Sequence, residues 1–250
     1  MLGPASRYSP TTSRFENPKQ QPCGHRTIDL INRSIILDCA ADAAEQREGK
    51  AQMARETRQK ILNSADRLFY ERGFEATSLA DIADDVRISR GNFYYHFKTK
   101  DEILEAVIAQ RAANTRAVLD SWELSAASPA DAVRNFARML IMNQTKIIAF
   151  GCPVGTLCNE LAKLDHPAKM DAVGLFTLFR TWLARQFIKL GHEAEADALA
   201  LHLLMRSQGV AALATAFRDA DFIRREVTDM ETWLATRTPA SMPSHSSIAV

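Results

Sequence analysis

Residues 77–100 read T-S-L-A-D-I-A-D-D-V-R-I-S-R-G-N-F-Y-Y-H-F-K-T-K, and the spacing of apolar and capping residues predicts two short helices crossing through a tight turn. Leu79, Ile82 and Ala83 fall three and four apart on a helix opened by Ser78, with Asp81 completing a capping box. Ala83 is small, as a close helix crossing requires. Val86 and Ile88 flank Arg87 in the turn, and Ser89 is a suitable N-cap for a second helix that turns Phe93 and Phe97 inward. Its outward residues are Arg90, Asn92, Tyr94, Tyr95 and His96. These donors and aromatic hydroxyls suit a groove lined with phosphates and base edges. Thr99 and Glu102 form a second capping-box pattern, and Lys100 in the first turn opposes the helix dipole, which points to an anionic partner such as phosphate.

Outward from this stretch, Ile61, Leu62, Ala65, Leu68 and Phe69 form the apolar side of a preceding helix that ends at Gly73-Phe74. Together with I-A-x-x-x-x-I-S-x-G-x-F-Y-x-H-F-x-x-K, the run from Arg58 to about Leu104 resembles the TetR/AcrR family of bacterial transcriptional repressors. The ending Tyr94, His96, Phe97, Lys100 carries most of that likeness. The resemblance implies phosphate contacts from Tyr94, His96, Lys100, Thr77 and Ser78, while Arg90, Asn92 and Tyr95 lie better for base edges. Ser89 would enter the major groove with them. One position departs from the family pattern: Val86-Arg87 stands where Ala-Gly is usual. Arg87 therefore implies either a strained turn or a different turn geometry, and its guanidinium either reaches a phosphate or is solvated.

With 250 residues and a formal charge of only +1, the chain is not globally basic, so attraction to nucleic acid must be local. Arg55, Arg58, Lys60, Arg87, Arg90, Lys98 and Lys100 supply it. Modest local charge favours a dimer, in which two footprints add. The longest apolar run, from Ala196 to Phe217, is interrupted by His202, Arg206 and Gln208, so no membrane span is expected. The N-terminus lacks the apolar centre of a signal peptide, and a cytoplasmic location is expected. The four cysteines, Cys23, Cys39, Cys152 and Cys158, show no close pairing and fit a reducing compartment.

The expected organisation is all-α. Residues 1–52 form a largely disordered extension with a short helix over residues 28–44 and with Met53 as a candidate native start. Residues 53–99 form a three-helix helix-turn-helix domain, residues 100–238 a helical effector-binding and dimerisation domain, and residues 239–250 a flexible tail. Within the second domain a helix follows Lys100. Another starts at Ser128-Pro129 and runs to about residue 149, and Gly151 to Gly155 breaks the chain before a short helix over residues 156–164. The last two helices, one from Glu193 to Phe217 rich in small residues and one from Asp221 to Arg237, resemble the pair that forms an intersubunit four-helix bundle in the family.

The C-terminal half is rich in aromatic and sulfur-containing side chains, and Met142, Phe150, Phe176, Phe179 and His202 are candidate contacts for a small apolar or aromatic effector. Cys152 stands in Gly-Cys-Pro beside a helix start, where the dipole favours thiolate. Its segment resembles one TetR subgroup with members that respond to electrophiles or oxidants through a cysteine there. Asp84-Asp85 reads as a solvated helix end, His166 as a helix-entry residue and His192 as a surface residue. The sequence shows no metal-ligand spacing, cofactor fingerprint or catalytic constellation. The expected function is a ligand-released repressor on a palindromic operator. The competing readings are an electrophile- or redox-sensing repressor acting through Cys152 and a helical interaction protein without specific DNA binding.

Overall fold

The computed structural model describes residues 25–238, with side chains from residue 46 onward. Contacts divide the chain into residues 1–53 and 54–250. In the first unit the described backbone is helical: α1 spans His25–Arg72 as one helix. The short helix expected over residues 28–44 is thus part of a longer one, and residues 25–52 are helical where a largely disordered extension was expected. Residues 1–24 and the expected tail lie outside the described residues.

The second unit holds the rest of α1 and nine further helices among the described residues: α2 (Leu79–Val86), α3 (Arg90–His96), α4 (Lys100–Ser125), α5 (Pro129–Met142), α6 (Gln144–Phe150), α7 (Pro153–Lys163), α8 (Lys169–Lys189), α9 (Ala196–Phe217) and α10 (Ala220–Ala235). None of the described helices is long and apolar enough to cross a membrane.

Helix ends follow local chemistry. Ser78, Ser89, Thr99 and Ser128 each accept the backbone N–H three residues on, as N-caps do. The Ser78–Asp81 box is complete. The second is not: Glu102 accepts the N–H of Lys98 at 2.6 Å, one residue beyond the N-cap. Three helices close with the same Schellman pairing. Ile88 N–H bonds Ala83 O and Arg87 N–H bonds Asp84 O; His166 N–H bonds Leu161 O and Asp165 N–H bonds Ala162 O; His192 N–H bonds Phe187 O and Gly191 N–H bonds Ile188 O. The left-handed residue is glycine only in the third, at φ 87°. Arg87 (φ 59°) and Asp165 (φ 50°) carry the cost of a Cβ there.

Two expected boundaries move. The helix from Pro129 stops at Met142 because Asn143 donates its side-chain amide to Met139 O at 2.9 Å and leaves the helical backbone, a local bond that competes with the helix. α7 starts at Pro153 rather than Thr156: Cys152 is the N-cap, and proline at the first position loses no hydrogen bond.

Two apolar cores result. One joins Ile61, Leu68, Phe93, Phe97, Ile103 and Leu104 to Leu157, Leu161 and Leu175, so α4, α7 and α8 complete the core of the first three helices. The other contains Phe136, Trp182, Phe187, Leu203, Ile223 and Met230. Cys152, Phe176 and Phe179 pack against both.

Candidate nucleic-acid interface

α3 is a seven-residue helix held by its ends. Phe93 and Phe97 are buried on one side, while Arg90, Gly91, Asn92, Tyr94 and Tyr95 are exposed on the other. Tyr95, 72% exposed, is the most open aromatic of α3. Ser89 is spent as the N-cap, accepting Asn92 N–H at 3.3 Å. His96 is half-buried, and burial together with the Arg58 charge lowers its pKa. Arg58 lies over the Phe97 ring at 4.5 Å, which brings a cation from α1 to the C-terminal end of α3.

The left-handed Arg87 leaves its side chain exposed beside α3. Of the two geometries the sequence left open, the strained turn is the one formed.

Three expected phosphate ligands are engaged within the protein. Thr77 is 1% exposed, and its hydroxyl donates to Gly73 O at 2.7 Å. A group so enclosed closes the turn before α2. The Ser78 hydroxyl is paired with Asp81 in the capping box. Lys100 is half-buried: its ammonium bonds Phe74 O at 3.1 Å and Glu75 O at 3.3 Å and stands over the Phe74 ring at 4.4 Å. Within the protein, that carbonyl pair is the partner of this N-terminal cation.

Asp85 is not merely a solvated helix end. It accepts from Ser64 Oγ and from Arg67 Nη2, both at 2.5 Å, and these bonds depress its pKa and tie α2 to α1. His192 is half-buried rather than superficial, with Nε2 2.6 Å from Arg237 O. His166 does stand at the entry to α8: its Nδ1 accepts Ala168 N–H, its Nε2 lies 3.5 Å from Asp101 and its ring meets Phe74 edge-on at 5.2 Å.

The six expected effector contacts have different surroundings. Met142 is 72% exposed at the end of α5. His202 stacks on Trp233 at 4.6 Å. Phe150 meets Tyr70 edge-on at 5.5 Å. Cys152, Phe176 and Phe179 share a location, the seam between the two cores. Several polar residues that tie α4 and α7 to α1 and its following loop have no signal in the sequence. Glu160 accepts the N–H groups of Phe74 and Glu75, each at 2.9 Å. Arg111 bonds Asp66 and Pro153 O, and the Tyr70 hydroxyl donates to Gly151 O at 2.7 Å. Their partners are 42 to 86 residues away along the chain, beyond any periodicity.

Comparison with known proteins agrees with this architecture. The family model described as bacterial regulatory proteins of the tetR family matches residues 61–107, which is α2 and α3 with the end of α1 and the start of α4. An HTH-type transcriptional regulator of Bacillus subtilis, YxaF, is 30% identical over 137 residues, covering 53% of this chain and 71% of that protein. The HTH-type transcriptional regulator of the lacX 3' region in Lactococcus lactis is 34% identical over 125 residues, or 49% of this chain; the match spans 64% of the relative, less than two thirds of its length. A TetR-family transcriptional regulator from Streptomyces coelicolor shares the fold with a TM-score of 0.62 at 22% identity, over 74% of this chain and 97% of that one. The chain belongs to the TetR family of bacterial regulatory proteins.

Proposed function

We propose that the protein is a transcriptional repressor that binds a palindromic operator as a homodimer and is released by a small apolar or aromatic effector. The observation that carries this reading is α3: Arg90, Asn92 and Tyr95 are exposed together on a short helix whose other side is anchored by Phe93 and Phe97. Placed in a major groove, such a helix meets base edges with these three residues, while Arg87 and Tyr94 face the flanking phosphates. Dimerisation is supported by α9, where Leu201, Met205, Leu213 and Phe217 are exposed along with Gly209, Ala212 and Ala216. A contiguous apolar helical face of this kind marks an interaction surface. The apolar seam at Phe176 and Phe179 supports an apolar effector. DNA as partner sets the bacterial cytoplasm as the place of action.

Selection of a duplex from a random-sequence library, followed by fluorescence anisotropy, tests the reading. A two-fold symmetric site is expected, with Arg90→Ala and Tyr95→Ala each raising Kd about tenfold or more. Binding without sequence preference and with a flat salt dependence would leave the chain a helical interaction protein.

A second reading, in which an electrophile is the effector, rests on Cys152. Its Sγ is half-exposed at the N-cap of α7, accepts Gly155 N–H at 3.5 Å and stands at the seam of both cores. Addition of the sulfur to the β-carbon of an α,β-unsaturated carbonyl, with the thiol proton ending on the α-carbon, would place a bulky group there. Treatment with N-ethylmaleimide is then expected to release DNA from the wild type and not from Cys152→Ser. Equal release from both would remove this reading.

A further inference from the structure

The loop between α1 and α2 is held from two sides by residues of the helices that follow. Its N–H groups at Phe74 and Glu75 are taken by one carboxylate, Glu160 of α7, at 2.9 Å each. Its carbonyls at the same two residues are taken by Lys100 of α4. Gly73, at φ 98°, lets the carboxylate approach this closely: a Cβ there would stand 3.0 Å from Glu160 Oε1. Thr77 then closes the loop onto Gly73 O, and Ser78 starts α2. The backbone that aims α2, and through it α3, is therefore fastened to α7 by a pair of charge-assisted bonds, the stronger kind of hydrogen bond.

The other end of α7 is fastened as well. Its N-cap is Cys152, packed against both cores, and the preceding carbonyl of Gly151 and the following one of Pro153 accept from Tyr70 and Arg111. Gly155 in its first turn packs against Gln208 of α9; a Cβ there would meet Gln208 Oε1 at 2.5 Å, so no larger residue fits without displacing that side chain. α7 is 11 residues long, about 16 Å by its rise per residue. It meets α9 and the seam in its first turn and the α1–α2 loop near its other end, at Glu160.

We propose that the Glu160 carboxylate is the positioning residue that couples α7, and through it the core of the C-terminal helices, to the orientation of the DNA-reading helices. A shift of α7 along or about its axis carries both loop N–H groups with it, because they share one carboxylate. The reverse holds by linkage: seating α3 on DNA biases α7 through the same pair of bonds. This inference rests on the DNA-binding reading above.

Hydrogen–deuterium exchange of the full chain, with and without the selected duplex, tests it. In the wild type, DNA is expected to slow exchange in peptides covering α3 and also in those covering α7. In Glu160→Gln, which can accept only one of the two bonds and carries no charge, protection of α3 is expected to persist at saturating duplex while the α7 response disappears, and Kd rises by roughly threefold to tenfold. Glu160→Asp, which keeps the charge but shortens the reach, supplies a milder variant with a reduced α7 response. Thermal unfolding checks that both variants are folded. A wild-type response confined to α3, or an α7 response that survives in both variants, overturns the coupling alone. Absence of α3 protection in the wild type overturns the DNA-binding reading and the coupling together.

Discussion

Arg111 Nε lies 2.5 Å from Asp66 Oδ1, and the same guanidinium donates to Pro153 O at 2.6 Å. One side chain, 10% exposed, thus joins α4 to α1 and to the first residue of α7. A buried guanidinium that loses its partners costs more than the bonds it made, because it stays desolvated. Asp66→Asn is expected to destabilise the protein by about 2 kcal/mol, read as a lower urea midpoint. An unchanged midpoint would show that the pair is merely superficial.

The left-handed Arg87 makes a separable prediction. Glycine at the same position loses the Cβ conflict, so Arg87→Gly should stabilise the fold by about 1 kcal/mol and raise Tm by a few degrees. If the exposed guanidinium meets a phosphate, the same variant binds DNA more weakly, and the slope of log K against log salt falls by about one. Higher Tm with unchanged DNA binding would assign Arg87 to solvent.

Thr77 separates structure from contact in the opposite sense. Thr77→Val keeps the shape and removes the hydroxyl that bonds Gly73 O, leaving that carbonyl short of a partner. A loss of about 1–2 kcal/mol in stability is expected, with operator affinity measured at saturating folded protein essentially unchanged. A tenfold loss of affinity in a fully folded variant would restore Thr77 to the phosphate contacts.

Asp85 links stability to pH. Bonds from Ser64 and Arg67 lower its folded pKa below the ordinary aspartate value of 3.8. Its contribution is complete above the unfolded value and is lost as pH falls through the lower folded one. Wild-type stability should therefore fall more steeply than that of Asp85→Asn as pH drops below about 4. Parallel curves in urea titrations across that range would contradict this.

The two cysteines of the second unit should label at different rates. Burial pushes the Cys158 thiol up to about 11, which leaves roughly a hundredfold less thiolate at pH 8 than in an unperturbed cysteine. Iodoacetamide followed by peptide mass spectrometry is expected to find Cys152 modified well before Cys158. Faster labelling of Cys158 would mean that α7 opens in solution.

What the sequence by itself determined is local. Caps at Ser78, Ser89, Thr99 and Ser128, the inward Phe93 and Phe97, and the exposed Arg90, Asn92, Tyr94 and Tyr95 of α3 were legible because each depends on neighbours within four positions, the reach of one helical turn, while His96, expected outward, is half-buried. The all-helical class and the family likeness follow from the same short-range pattern. The break at Asn143 and the start of α7 at Pro153 lie away from the expected boundaries, because a side-chain bond or a proline at the first helical position shifts a helix end. The tertiary structure alone decided which polar groups were already spent. Thr77 and Lys100 have the types of phosphate ligands, yet their bonds go inward, and Glu160, Arg111 and Asp85 find partners 18 to 86 residues distant. The physical reason is that a hydrogen-bonding group is committed by whatever the folded chain brings within about 3 Å, and only the packing of helices distant in sequence sets those distances.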